Sequence, residues 1–234
     1  MNYRIQSYKF LALLFIFEHN FVTLRRNYRI LSKYYALFLR RKSHDRDCFR
    51  MKNPEHRPWQ VLDSEYLIRR PWCTVRRDSV QLPTGVVVPE WYVFEFPDWV
   101  NVIAITKQGE FVMISQYRHG TKMTCYELVA GCTEEGETAE QSARRELLEE
   151  AGYGGGVWRQ FMAVAPNPSN QNNFTYTFLA TDVERISDQQ TEASEDIQVH
   201  LMSRAEVRSL LENEQIIQCL NVAPLWRYFA ENPE

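Results

Sequence analysis

The sequence predicts an α+β domain layered as α/β/α. Three observations point there. Short β-rich runs punctuated by Gly, Pro and Asn recur between Trp59 and Ser203. One highly charged helical stretch, 139–151, interrupts them. Two amphipathic stretches then close the chain as helices. Strands, one helix, strands, then helices is the order of a sheet that carries helices on its faces.

Residues 1–50 stand apart. They hold 11 Lys/Arg against three Asp/Glu, while residues 51–234 hold 16 against 27. A basic segment of net +8 is thus joined to an acidic body of net −11, and the division is set at 50/51. Within the segment, "NYRILSKYYALFLRRK" reads as a basic amphipathic helix. Two readings stay open: a membrane-surface or partner-binding arm, or residues upstream of a start at Met51. Membrane contact is expected only under the first. The apolar run "FLALLFIF" is too short to cross a bilayer, and no small-x-small cleavage site follows it. The five cysteines are odd in number and have no CxxC spacing. They predict neither a disulfide framework nor a zinc site, and a reduced, cytoplasmic setting is expected. The acidic body also disfavours nucleic acid as a partner.

The body reads in order as follows. From Trp59 to Phe96 the pattern is strand-like, with β-rich runs either side of Pro83-Thr84-Gly85, a hairpin signal. "VNVIAIT" and "EFVMISQYR", separated by "KQG", predict a second hairpin. "CYELVAGC" is a further strand. After the charged stretch come the strands "WRQFMAVAPNP", "FTYTFLATDV" and "DIQVHLMS", then the helices "RAEVRSLLENEQI" and "NVAPLWRYFAEN". No internal repeat or low-complexity segment interrupts the series.

The charged stretch is "GCTEEGETAEQSARRELLEEAGY", Gly131 to Tyr153. Thr138 with Gln141 three residues on is a capping-box pattern, and Gly152 stands where a helix would stop. A helix over 139–151 puts Glu146, Glu149 and Glu150 at i, i+3 and i+4, on one face. Such neighbours repel. Clustered carboxylates are also what a hard divalent cation takes as ligands, and Arg145 can lock one in place through a bidentate bond. Ala143, Leu147 and Ala151 recur at i, i+4 and i+8, so the opposite side is free to pack on a sheet. A solvated acidic face is the plainer alternative for "RELLEE" alone.

The wider spacing decides between them. Gly131, five residues, Glu137, seven residues, Arg145-Glu146-Leu147, one residue, Glu149-Glu150, one residue, Gly152-Tyr153 follows G-x5-E-x7-R-E-U-x-E-E-x-G-U. Only Tyr153 is loose, standing where an aliphatic residue is usual. The chain therefore resembles the Nudix hydrolases, over roughly residues 56–230. The resemblance implies an α/β/α sandwich with a mixed β-sheet and a catalytic loop–helix–loop, preceded by a small N-terminal antiparallel sheet. On that basis residues 51–98 would form an N-terminal β region used in dimerisation and residues 99–234 the hydrolase domain.

It also implies a cofactor, Mg²⁺ or Mn²⁺, bound between the helix and a substrate diphosphate. Glu146 and Glu150 would be direct ligands, with Glu149 a ligand or just behind, and the carbonyl of Ala130 would join them. Arg145 would orient the glutamates, while Glu137 would brace the loop through backbone hydrogen bonds. "QYRHG" and "YELVAG" resemble the branch that cleaves ADP-ribose and nucleoside diphosphate sugars, with Val129 where that branch has proline. Pro168, fifteen residues past Tyr153, is another mark of it. Arg118 becomes a candidate phosphate or ribose contact and Glu127 a candidate sugar contact. For the general base, the acidic loop "TEASED" offers Glu195 first and Glu192 second, and Glu149 is carried as a further catalytic acid. Trp72 or Trp91 would grip the base, across a homodimer interface. The expected reaction is hydrolysis of the pyrophosphate bond to a nucleoside monophosphate and a sugar phosphate. The competing readings are a house-cleaning hydrolase of nucleoside triphosphates and a non-catalytic, ligand-sensing Nudix-like domain.

Overall fold

A computed structural model describes residues 55–233. The expected helix at 27–42 lies outside the described residues. Every described element belongs to the unit that begins at Pro58.

Three strands come first: β1 (Gln60–Arg70), β2 (Cys73–Gln81) and β3 (Val87–Glu95). They form an antiparallel sheet in the order β1-β2-β3. The β2–β3 turn closes by Gly85 N–H donating to Leu82 O at 2.9 Å, with Gly85 at φ 86°. That left-handed backbone is why the Pro-Thr-Gly signal carries a glycine. One face of the sheet holds a polar network: Arg76 grips buried Asp78 at 2.8 and 3.0 Å and also reaches Glu95, while Ser64 donates to Asp78 at 2.7 Å. β1 is exposed along its whole length, including Val61, Leu62, Tyr66, Leu67 and Ile68. The strand-like reading of 59–96 thus resolves into three strands rather than the two around the turn.

The larger sheet is built from β4 (Trp99–Thr106), β5 (Phe111–Arg118), β6 (Met123–Cys132), β7 (Tyr153–Gly154), β8 (Val157–Val164), β9 (Thr175–Arg185) and β10 (Gln198–Met202). Its order is β10-β5-β6-β4-β9-β7, with β8 on β9. β4 and β9 run parallel and the other pairs antiparallel, so the sheet is mixed. The expected β4–β5 hairpin is real only at its turn, where Ala104 faces Val112 and Ile105 faces Phe111. Beyond that β6 enters between the two strands. Sequence neighbours tell of the turn but not of a third strand that parts them.

Three helices complete the layers: α1 (Ala139–Ala151), α2 (Arg204–Glu212) and α3 (Cys219–Glu231). Alternate residues of β4 serve the two faces. Val100, Val102 and Ala104 pack with Ala143, Leu147 and Ala151 of α1. Ile103 and Ile105 pack with Val207, Leu211, Leu225 and Phe229 of α2 and α3. A strand covered on both faces reads as the unbroken run "VNVIAIT".

The two sheets are joined by a seam. The loop between β8 and β9 lies along the end of β3, with a parallel bridge from Phe94 to Gln171. Phe94 N–H donates to Asn170 O at 2.8 Å, and the Trp91 indole N–H to Ser169 O at 3.0 Å.

Candidate active site

The site begins with the local chemistry of α1. Thr138 and Gln141 exchange both capping-box bonds, 3.3 and 2.8 Å. At the other end Gly152, φ 73°, donates its N–H to Leu148 O at 2.9 Å. A side chain at Gly152 would also meet Ser187 O at 2.3 Å, so both conformation and space demand glycine. The helix is thereby fixed in length and phase, and Leu147 with Ala143 and Ala151 presses it onto the sheet.

That phase delivers Glu146 and Glu150 to the edge of β6. Glu150 is 3% exposed and accepts Ala130 N–H at 3.1 Å. A strand residue's N–H and C=O leave on the same side, so the Ala130 carbonyl also emerges toward Glu150. The Glu146 carboxylate lies against Gly131: a Cβ there would come within 2.1 Å of its Cδ and Oε1. Gly131 is needed for close approach, not for an unusual backbone.

Arg145 ties the cluster together. Its Nη1 donates to Glu146 at 2.8 Å and Glu149 at 3.0 Å. Its Nε donates to Glu137 at 3.1 Å, and its Nη2 to Glu137 at 3.2 Å and Cys132 O at 3.1 Å. Glu137 also accepts the Ser142 hydroxyl at 2.6 Å. Glu137 thus braces the loop through Arg145 and Ser142, with a backbone hydrogen bond from Glu134 beside them.

The electrostatics suit a cation. Burial pushes the Glu150 carboxyl up to about 8, with Glu146 and Glu195 adding repulsion and the Ala130 N–H opposing. Glu146 is raised as well, first by burial, then by Glu149 and Glu195, against the pull of Arg145. The donors are all oxygens, and a glycine opens the backbone to them. These residues fit a hard divalent ion. Among the described residues no three acidic, His or Cys side chains already converge on one point. Arg145 holds Glu146 and Glu149 instead, and these would turn from it toward a cation.

The acidic loop is brought in by the C-terminal end of α1. Helix C-terminal carbonyls need donors, and Gln190 N–H takes Glu149 O at 2.8 Å while the Gln189 amide takes Glu150 O at 2.7 Å and Ile197 O at 3.3 Å. Glu195 lies close enough to raise both Glu146 and Glu150. Glu192 is exposed, and its N–H donates to the Glu195 carboxylate at 2.9 Å. Gln189 and Gln190 went unnoticed in the sequence, where a polar pair after a strand carries no sign of the distant helix end it clasps.

Arg118 and Glu127 meet each other. Glu127 is 1% exposed and takes Arg118 Nε at 2.8 Å and Nη2 on its second oxygen, with Gln116 at 3.5 Å. The Glu127 carboxylate is thus committed to Arg118, whose charge also feels Glu150. The pair belongs to the edge of the glutamate cluster, and Arg118 is its exposed half. Trp91 is half-buried edge-on to Trp59, centroids 4.9 Å apart. Trp72 is 83% exposed at the β1–β2 turn, with φ 64°.

The profile of the NUDIX domain matches residues 96–219, over half of the chain. That of the nucleoside diphosphate sugar hydrolase N-terminal domain matches residues 59–94, the small sheet. Relatives include an ADP-ribose pyrophosphatase of Bacillus subtilis, 29% identical over 59% of this chain and 75% of that one. An ADP-ribose pyrophosphatase of Mycobacterium tuberculosis is 30% identical over 55% of this chain and 62% of its own. An ADP-sugar pyrophosphatase of Mus musculus is 37% identical over 52% and 60%. A crystal structure of an ADP compounds hydrolase superposes on 75% of this chain and 96% of its own, with a TM-score of 0.66 and 21% identity, a likeness of fold. With the box helix, its glycine cradle and the mixed sheet in place, the chain belongs to the Nudix family of hydrolases.

Proposed function

We propose that the protein cleaves the pyrophosphate bond of ADP-ribose or a related nucleoside diphosphate sugar, releasing a nucleoside monophosphate and a sugar phosphate. The observation that carries the proposal is the juxtaposition of two parts. The glutamate cluster of α1 can hold a diphosphate through a cation, and the small sheet of the sugar-hydrolase type is sewn to the same body. The relatives named above, hydrolases of ADP-ribose and ADP sugars, support the choice of substrate.

Glu146, Glu150 and the Ala130 carbonyl would hold Mg²⁺ or Mn²⁺, with Glu149 as a further ligand or immediately behind them. The ion supplies charge neutralisation at the diphosphate and a water of lowered pKa. The chain's own residues do the rest. Arg145 fixes the carboxylates. Arg118, held by Glu127, offers its outward N–H groups to a phosphate. Glu195 is the acid best disposed to take a proton from the attacking water. Glu192 is turned outward and serves by steadying Glu195 through its N–H. That reading leaves Glu127 a positioning role in place of a sugar contact.

The small sheet gives the homodimer its rationale. β1 exposes apolar side chains and an open strand edge, which a second copy would cover. Residues 51–98 act on this reading as the dimerisation region and residues 99–234 as the hydrolase domain. Trp72, largely exposed at the β1–β2 turn, would reach the base across the interface, with Trp91 on the other side. The four described cysteines are unpaired, which supports a reducing, cytoplasmic setting. Among the described residues no helix is long and apolar enough to cross a membrane.

Product analysis tests the proposal. ADP-ribose incubated with the protein and Mg²⁺ should yield AMP and ribose phosphate. Preferred release of inorganic pyrophosphate from a nucleoside triphosphate would instead favour the house-cleaning reading. Tight binding without turnover of any such compound would favour the sensing one.

A further inference from the structure

The chain from the end of β3 into the start of β4, Phe94 to Trp99, is bonded on both sides. On one side it meets the loop that precedes β9, almost residue by residue. Beyond the Phe94 bonds, Phe96 N–H donates to the Asn172 side chain at 2.9 Å, and the Asn173 amide donates to Pro97 O at 3.1 Å. Phe174 N–H donates to Asp98 Oδ1 at 2.7 Å, and Trp99 N–H to Phe174 O at 2.8 Å. On the other side, Thr133 N–H donates to Asp98 O at 2.8 Å.

Asp98 is where the two sides meet. Its backbone carbonyl holds the loop that opens the box, and its carboxylate holds the loop 166–174. The next residue, Trp99, pairs with Cys132, whose carbonyl anchors Arg145, and Gly131 beside it cradles Glu146. The 166–174 loop therefore leaves the sheet at the end where the glutamate cluster lies. Its other flank touches the Trp91 indole. A substrate with its diphosphate on the glutamates and its base at the small sheet must pass this loop.

We infer that Asp98 is a positioning residue for substrate: its carboxylate fixes the 166–174 loop against the box loop and so sets the width of the substrate channel, without touching the reacting atoms. The choice of substrate, and the placing of its diphosphate and base, rest on the function proposed above. The two bonds of Asp98 are chemically separable. Side-chain substitution removes the acceptor for Phe174 N–H and leaves the backbone tether to Thr133. The metal side of the site stays anchored while the substrate loop is released. The effect falls on KM rather than kcat.

The experiment compares full-length Asp98→Ala, Asp98→Asn and the unmodified protein. ADP-ribose kinetics at saturating Mg²⁺ give one readout. Hydrogen exchange of the unliganded protein over residues 170–175, with α2 as internal reference, gives the other. Losing the carboxylate's hydrogen bond to Phe174 N–H should raise KM about tenfold in Asp98→Ala, with kcat within about twofold. Exchange over 170–175 should quicken while α2 is unchanged. Asp98→Asn, whose amide oxygen still accepts, should restore both. An unchanged KM in Asp98→Ala, or exchange that does not quicken, overturns the inference. So does an Asn variant as impaired as the Ala one. If Asp98→Ala does not fold, Asn172→Ala, which removes the acceptor for Phe96 N–H on the same seam, carries the same readouts. If the unmodified protein leaves ADP-ribose intact, the substrate reading falls, and the exchange measurement alone decides on Asp98.

Discussion

Gly131→Ala separates the cost of folding from the cost of function at one atom. A Cβ at 131 would stand 2.1 Å from Cδ and Oε1 of Glu146 and 2.5 Å from Oε2. To restore ordinary contact the carboxylate must retreat from 2.1 Å to about 3.4 Å, a shift of about 1.3 Å. The obstructed group is the end of a flexible side chain, so it can swing away at little cost to the fold. Gly131 has no left-handed backbone to strain. Stability should fall by about 1 kcal/mol, the low end of what an added methyl costs. Catalysis cannot absorb the same shift, since a misplacement of ~1 Å in a site of fixed geometry is worth up to about 10²-fold in rate. The swing also carries Glu146 away from the space it shares with Glu150 and Ala130. The assay is kcat/KM for ADP-ribose across a Mg²⁺ titration, beside thermal unfolding in EDTA. Activity should drop about 100-fold, with weaker Mg²⁺ dependence and only slightly earlier unfolding. Normal turnover at normal Mg²⁺ would refute the idea that Glu146 must lie against the β6 backbone.

Three other outcomes are expected. Glu150→Gln should lower kcat by roughly three orders of magnitude without loss of folding, because a neutral amide relieves a carboxylate whose burial is already unfavourable; near-normal, still metal-dependent turnover would contradict its role. A protein of residues 51–234 alone should keep the kcat and KM of the full chain and scatter light as about twice its monomer mass, whereas a folded but inactive product would make the basic segment part of the enzyme and an active monomer would dismiss the shared site. Arg118→Ala should destabilise by about 2 kcal/mol, since it strands the buried Glu127 charge while its own half-exposure softens the loss; adding Glu127→Gln should recover the stability but not the activity, as calorimetry and kinetics on the double variant would tell.

What the sequence disclosed and what it hid divide along chain distance. The box helix was legible because every determinant is local. Thr138 caps Gln141 three residues away, Gly152 ends the helix at its own φ, and the glutamates share a face by the helical period alone. The layers were legible because β4 is apolar on both sides and must be covered on both. Long-range pairing was not. Nothing in "KQG" says that β6 will part the strands it joins, and that entry is what sets Ala130 beside Glu150. Arg118 and Glu127 looked like two separate contacts because the β5–β6 register that lets one clasp the other is not written in either segment. The Glu195 carboxylate folds back to accept the Glu192 N–H, a turn geometry that two acids in one short loop leave open. Trp91 shows the same limit most sharply. An aromatic in a strand signals burial or stacking, but its indole N–H is bound to Ser169 O, 78 residues on. The seam from Phe94 to Trp99 is made chiefly of backbone groups and short amides, types whose spacing carries no period. A sequence of asparagines between two prolines and a strand reads as loop, and loop it is; that this loop is ordered against the small sheet is a property of two segments together, visible only once both are folded.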